Sequence, residues 1–220
     1  MRILFVNPNS TESMTDKVRE TARAVLPDNV EVVAVSNADG PESIQGPEDG
    51  DAAVPGMLAE IKRGLNDGAD GVVIACFDDT GLACARALTS VPVLGIGQAA
   101  YQASMLMGLR FSVVTTLSVS VPVLESNIQQ FGCADYCLKV RASEVPVLDL
   151  EKPGSEAQER VSREIATAIR EDDCASIVLG CAGMTDLAAR MSTVHQLPVI
   201  DGVAAASGLI YGMALYSTLQ

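Results

Sequence analysis

At 220 residues the chain is about one and a half times a typical ~150-residue domain, so one large domain or two small fused halves fit, while a string of separate domains does not. Hydrophobic residues make up 48% and charged residues 20%, enough apolar surface to offset the chain entropy of folding, which excludes disordered and collagen-like classes. Fifteen Lys+Arg against 28 Asp+Glu give a formal charge of -13, which opposes phosphate backbones and anionic bilayers, so neither nucleic acid nor a membrane is an expected partner.

In chain order, short β-branched runs alternate with longer segments of helical spacing, the pattern of parallel sheets flanked by helices. Arg2–Asn7 reads as a strand and Ser13–Val25 as a helix behind the cap signal Ser10-Thr11-Glu12-Ser13. Strand Val30–Val35 leads through the acidic, Gly/Pro-rich stretch Asn37–Pro55 to helix Ala52–Asn66. That stretch is expected to be a solvated loop, with covering of a cleft as the alternative. Strand Gly71–Ala75, helix Gly81–Thr89, strand Val91–Ile96 and helix Gly97–Met107 follow. Then come strand Phe111–Thr115, helix Val119–Gln130, strand Cys137–Arg141 and helix Ser155–Arg170, the last capped by Ser155. Strand Ser176–Gly180, helix Met184–Ser192, strand Leu197–Ile200 and helix Gly202–Tyr216 complete the chain. The longest apolar runs, Gly71 to Phe77 and Ile177 to Gly183 among them, fall far short of the ~20 residues a spanning helix needs. Asn7-Pro8-Asn9 interrupts the first apolar stretch before a signal peptide could form, so a soluble, cytoplasmic protein is expected.

An internal repeat organises these elements. Cys76, Thr80, Leu82 and Ala83 fall in register with Cys181, Thr185, Leu187 and Ala188 at an offset of 105. Val91-Pro92-Val93-Leu94 answers Leu197-Pro198-Val199-Ile200 after a one-residue slip, and Ile3–Val6 resembles Phe111–Val114. The expectation is an α/β fold of two pseudo-symmetric halves with parallel sheets: residues 1–97 with the returning helix 203–220, and residues 98–202. Ligands in such sheets collect at the carboxyl ends of the strands, and a repeat turns two such ends toward one cleft.

Cys76 and Cys181 each fall at such an end, ahead of a helix start whose free N–H groups favour thiolate over thiol. A pair of sulfurs related by pseudo-symmetry can present one to each face of a carbon acid, one taking a proton while the other gives one. Small buried core cysteines are the competing reading, weakened by recurrence in the same strand–Cys–turn–Thr context. Cys84, Cys133, Cys137 and Cys174 lack that setting and are expected to be inert, reduced thiols; a Cys-x3-Cys pair without a second ligand pair does not make a zinc site, and no metal is expected. His195, the single histidine, is expected at the surface, which leaves Ser-His-Asp and Cys-His mechanisms without a carrier. Asn7-Pro8-Asn9-Ser10-Thr11 reads as a turn and N-cap, with Asn9 and Ser10 also able to offer directed donors and acceptors beside the cysteines. Thr115 and Thr116 hold the matching place in the second half. Gly95-Ile96-Gly97 lacks the later glycine of a dinucleotide fingerprint and no Gly-x4-Gly-Lys loop exists, so no nucleotide cofactor is expected.

Six blocks across the chain resemble the aspartate/glutamate/hydantoin racemase superfamily, most closely its hydantoin and allantoin racemase branch. They are the segments 2–11, 75–82, 111–116, 141–148, 177–184 and 198–203, which hold Asn9, Cys76, Thr116, Arg141, Cys181 and Asp201. The resemblance implies a cofactor-independent racemase of two flavodoxin-like halves, with Cys76 and Cys181 exchanging a proton with the ring carbon C5. It also implies substrate contacts at Asn9, Ser10, Phe77, Asp78, Thr115, Thr116 and the backbone of Ala182 and Gly183. Where the branch often carries Phe-Gly-Asp-Pro-Gly after the first cysteine, this chain has Phe77-Asp78-Asp79-Thr80-Gly81, a departure beside the substrate that bears on the ring substituent. A small-molecule substrate and a homo-oligomer are expected, the C-terminal helix packing internally. Alternatives within the superfamily are an Asp/Glu-type amino-acid racemase, a dicarboxylate cis-trans isomerase and an arylmalonate-type decarboxylase; outside it stands a non-catalytic binding protein.

Overall fold

Two separate four-stranded parallel sheets are built in the computed structural model, which describes residues 1–151 and 156–219. The first holds β1 (Arg2–Asn7), β2 (Glu31–Ser36), β3 (Gly71–Ile74) and β4 (Val93–Gly95) in the order β2-β1-β3-β4. The second holds β5 (Phe111–Thr115), β6 (Cys137–Ala142), β7 (Ser176–Gly180) and β8 (Val199–Ile200) in the order β6-β5-β7-β8. Identical orders are what a duplicated sequence produces. The strands before the two cysteines, β3 and β7, therefore occupy the same place, each beside the first strand of its half.

Helices α1 (Glu12–Val25), α2 (Pro47–Asn66), α3 (Leu82–Ala87) and α4 (Ile96–Leu106) alternate with the first set of strands, and α5 (Val121–Gln130), α6 (Glu156–Asp172), α7 (Ala188–His195) and α8 (Gly202–Ser217) with the second. The central strands are continuous apolar runs because both faces are covered. Helical spacing buries Met14, Val18 and Ala22 on α1 and Val161, Ile165 and Ala168 on α6, leaving their polar faces in water. Helix α8 turns Val203, Ala206, Ile210 and Ala214 inward and packs against α1, α4 and β3. Among the described residues no helix is long and apolar enough to cross a membrane.

Three sequence expectations need correction or lie out of view. Helix α2 starts at Pro47, not Ala52, so part of the expected loop Asn37–Pro55 is helical. Pro47 fits a first helical turn, where its missing N–H costs nothing, and Glu48 and Asp49 complement the dipole there. Pro55 lies inside the helix against its propensity; burial of Ala53, Met57 and Ile61 outweighs the lost bond, and the Asn37 side chain donates to the Ala53 carbonyl at 3.1 Å. Thr11 is the N-cap residue of α1 but makes no side-chain cap bond; its hydroxyl donates instead to the Glu42 carbonyl at 2.6 Å, tying down the segment after β2. The expected Ser155 cap lies outside the described residues.

The two sheets share one apolar core through α4. Tyr101, fully buried, stacks on Phe111 of β5 (centroids 5.8 Å, planes at 8°) and meets Phe77 edge-on (5.4 Å, 88°). Its hydroxyl is buried and has no hydrogen-bond partner among the described residues. Truncation to Ala removes a ring from a close-packed site and is expected to cost about 4 kcal/mol of unfolding free energy. Tyr101→Phe deletes only the orphaned hydroxyl and is expected to be neutral or stabilising by up to about 1 kcal/mol; urea unfolding of the two variants distinguishes these outcomes.

Candidate active site

Each cysteine is delivered by a buried strand that stops just before it. Ile74 ends β3 two residues before Cys76, and Gly180 ends β7 directly before Cys181. The two side chains line one cavity, at the carboxyl ends of both sheets, with about 30 Å³ free inside it, room for a water or two. Asn9, Phe77, Asp78, Thr116, Ala182 and Gly183 line it as well. Two expected contacts stand behind the wall. Thr115 is buried with its hydroxyl donating to the Gly180 carbonyl at 2.9 Å, and Ser10 is bound through both its backbone N–H and its hydroxyl to the Pro41 carbonyl. Phe77 reaches the wall with its ring committed to Tyr101.

Asn9 sits in a polar knot that fixes the turn after β1. Its Oδ1 accepts from the Thr11 backbone N–H at 2.9 Å and from Asn7 Nδ2 at 2.8 Å, leaving Nδ2 near Met14 Sδ at 3.5 Å. The matched threonines have parted roles. Thr80 Oγ1 lies 3.4 Å from the Cys76 sulfur, whereas the Thr185 hydroxyl donates to Thr21 at 3.2 Å. Asp79, at φ 52°, accepts from the N–H groups of Gly97 (3.0 Å) and Gln98 (2.8 Å) and so caps α4 from outside that helix. In the second half Asp201 caps α8 in line, accepting from Val203 and Ala204.

Sequence reasoning missed several wall residues. Ile44, from the segment expected to be solvated, and Val147, from the segment after β6, close the cavity, and Val147 N–H donates to Gln45 Oε1 at 3.4 Å. Covering of the cleft, the alternative for that stretch, is what the structure shows. Ser120, from the turn before α5, carried no sequence signal at all.

The sequence model of the Asp/Glu/Hydantoin racemase family matches residues 3–210 of this chain. The chain belongs to that family. It is 48% identical to a hydantoin racemase of Rhizobium meliloti over 206 residues, covering 94% of this chain and 86% of the relative. Among solved structures it is similar to an allantoin racemase from Klebsiella pneumoniae, with TM-score 0.94 and 37% identity over 99% of this chain and 89% of that one. An allantoin racemase from Pseudomonas fluorescens gives TM-score 0.94 and 35% identity over 99% and 92%. The chain is accordingly an isomerase of the racemase type, on the two-sheet α/β fold the repeat implies.

The electrostatics of the cavity break its pseudo-symmetry. The expectation that both cysteines favour thiolate fails for Cys76: burial pushes its thiol up, and the neighbouring Asp78 carboxylate pushes it further, against the opposing contact from Thr80. The reason is local. Helix α3 begins only at Leu82, so no fresh helix terminus meets the Cys76 sulfur. Cys181 does occupy an N-cap, and the Gly183 N–H donates to its sulfur at 3.4 Å. Burial raises Asp78 to about 6, and Asp79 to about 7 despite the two N–H groups it accepts. His195 lies outside the cavity, with Ser162 against its Nε2 at 3.0 Å. All six cysteines are free, and among the described residues no cluster of His, Cys, Asp or Glu could hold a metal.

Alkylation with iodoacetamide at pH 8, read by mass spectrometry, is expected to label Cys181 about tenfold or more faster than Cys76, because the thiolate is the reactive form. In Asp78→Asn the Cys76 labelling midpoint moves to lower pH, since removing a nearby negative charge favours the thiolate. An unmoved midpoint would show that Asp78 does not act on this sulfur.

Proposed function

We propose that this racemase inverts C5 of 5-substituted hydantoins, allantoin included, with Cys76 and Cys181 as paired acid and base and without a cofactor. The observation that carries the reading is the presence of both sulfurs on the wall of one cavity, delivered by matching strands of the two sheets. One thiolate takes the C5 proton, breaking C–H and forming S–H. The electron pair delocalises into the ring as an enolate, and the opposing thiol then gives its proton to the other face of C5, becoming the thiolate. The two sulfurs exchange protonation states in each turnover, and the reverse reaction starts from the exchanged state.

The resting arrangement supports Cys181 as first base and Cys76 as first acid, the N–H of Gly183 facing one sulfur and burial beside Asp78 keeping the other protonated. Asn9, Thr116 and the backbone N–H of Ala182 are the donors at the wall able to meet the enolate oxygen, the Gly183 N–H being turned to the Cys181 sulfur. A well-placed donor of this kind is worth ~3 kcal/mol of transition-state stabilisation. A hydantoin C5 proton is far more acidic than the α-proton of a free amino acid, so two thiols suffice with less help. No Lys or Arg lines this cavity among the described residues, which leaves a dicarboxylate substrate without a clamp and disfavours the Asp/Glu-type and dicarboxylate readings. A ring exceeds the free volume, so its entry requires the Ile44 and Val147 segments to part.

Cys76→Ser and Cys181→Ser are each expected to lower racemisation of a 5-alkylhydantoin by about a thousandfold in kcat, the scale of losing a general acid or base. Each variant should still exchange the C5 proton of one enantiomer with deuterated water, a different enantiomer for each, as followed by NMR. Racemisation at the parental rate in both variants would refute the mechanism.

A further inference from the structure

A second cavity of about 300 Å³ lies beside the first, and Asp78 belongs to the walls of both. It is bounded by the first turns of α2, by the turn that follows Cys76, and by α5. Asp78 is held at the common wall from two directions. Ser120 Oγ donates to its carboxylate at 3.4 Å, and Asn127 Nδ2 donates to its backbone carbonyl at 2.9 Å. The cysteine cavity alone, with about 30 Å³ free, has no room for a ring and the group attached to it. Sites for small molecules usually offer ~300–1,000 Å³, and the neighbouring cavity supplies that volume.

Its chemistry is one-sided. Asp51, Asp78 and Asp79 line it, and among the described residues no Lys or Arg does. Asp79 is committed to the N-terminus of α4, which leaves Asp51, exposed on α2, and Asp78 as the carboxylates available to an occupant. Val54 and Val123 provide an apolar stretch of wall suited to methylene groups.

We infer that this second cavity receives the 5-substituent of the substrate, and that Asp51 and Asp78 select substituents ending in N–H donors, ureido or ammonium, over alkyl groups and against carboxylates. The inference rests on the hydantoin reading above and deepens it to a substrate class. An alkyl group displaces water from the two carboxylates and returns no hydrogen bond, a carboxylate meets like charge, and a donor restores what desolvation removes.

The test uses purified protein and five racemisable hydantoins bearing 4-aminobutyl, ureido, butyl, 2-carboxyethyl and methyl groups at C5. Each kcat/KM, from polarimetry and C5 deuterium exchange, is divided by the hydroxide-catalysed exchange rate of the same compound to remove differences in ring acidity. The aminobutyl and ureido compounds are expected to exceed butyl by about tenfold, and carboxyethyl to fall below it by about tenfold, the scale of one hydrogen bond to a charged group. Asp51→Asn, at an exposed position that leaves folding intact, should narrow the aminobutyl-to-butyl ratio by about threefold or more. Val54→Trp, which fills the cavity, should reduce the aminobutyl-to-methyl ratio by about tenfold. Equal normalised values for all five, or ratios unmoved in both variants, overturn the inference and leave the racemase reading standing. Absence of C5 exchange with every compound refutes both.

Discussion

The aromatic cluster of Phe77, Tyr101 and Phe111 is the contact on which the site depends. Phe77 directly follows the first cysteine, Tyr101 belongs to the helix between the halves, and Phe111 opens the central strand of the second sheet. Aromatic pairs of this kind contribute about 1 kcal/mol each beyond the area they bury, and they also fix orientation. Close packing through this point joins the two sheets in a shared core, beside a further apolar cluster in each half, so their carboxyl ends are held toward a common space. Two sulfurs carried by separate sheets line one cavity only because that relation is fixed by packing. Helix α8 reinforces it by returning from the end of the second sheet to cover α1, α4 and β3.

Duplication supplies two equivalent positions, and the surroundings make them unequal. In the first half the turn after the strand is long and acidic, so Cys76 is half-buried beside Asp78 and touched by Thr80. In the second the strand runs directly into a 3-10 turn, and Cys181 caps it. The same asymmetry explains why Asp79 caps α4 from the turn after Cys76: the first half carries Gly95 where the second carries Asp201, so the cap is supplied from elsewhere. The Cys76 turn is thereby fastened to α4, and through α4 to the shared core.

Closure of the pocket comes from outside both strand ends. The segment after β2 is pinned at its base by Ser10 and Thr11 and brings Ile44 over the cysteines, while the segment after β6 brings Val147 from the other side. Excluding water strengthens hydrogen bonds and charge interactions inside the cavity, and desolvation is also what raises the Cys76 thiol and the Asp78 carboxyl. The two segments are joined at the rim by the Val147 N–H donating to Gln45 Oε1 at 3.4 Å.

Much of this was legible in the sequence. The periodic apolar runs set the strands, and the 105-residue offset of Cys76 and Cys181 required two like halves with both cysteines at strand ends. Asn9 and Thr116 follow from the same strand-end reasoning, because a residue just past a buried parallel strand reaches the rim where ligands gather, while Asp78, Ala182 and Gly183 come from the resemblance to the racemase family. Tertiary structure decided what spacing does not encode. Thr115 and Ser10 lie behind the wall because their hydroxyls found backbone carbonyls there; Ile44, Val147 and Ser120 arrive from segments whose local pattern is only that of turns. Helix α2 begins before its pattern does, since burial of Ala53 and Met57 outweighs an internal proline. Local sequence fixes which way a side chain leaves the backbone, but burial, charge and hydrogen-bond partners come from chain segments far away in sequence, and these set the difference between the two sulfurs.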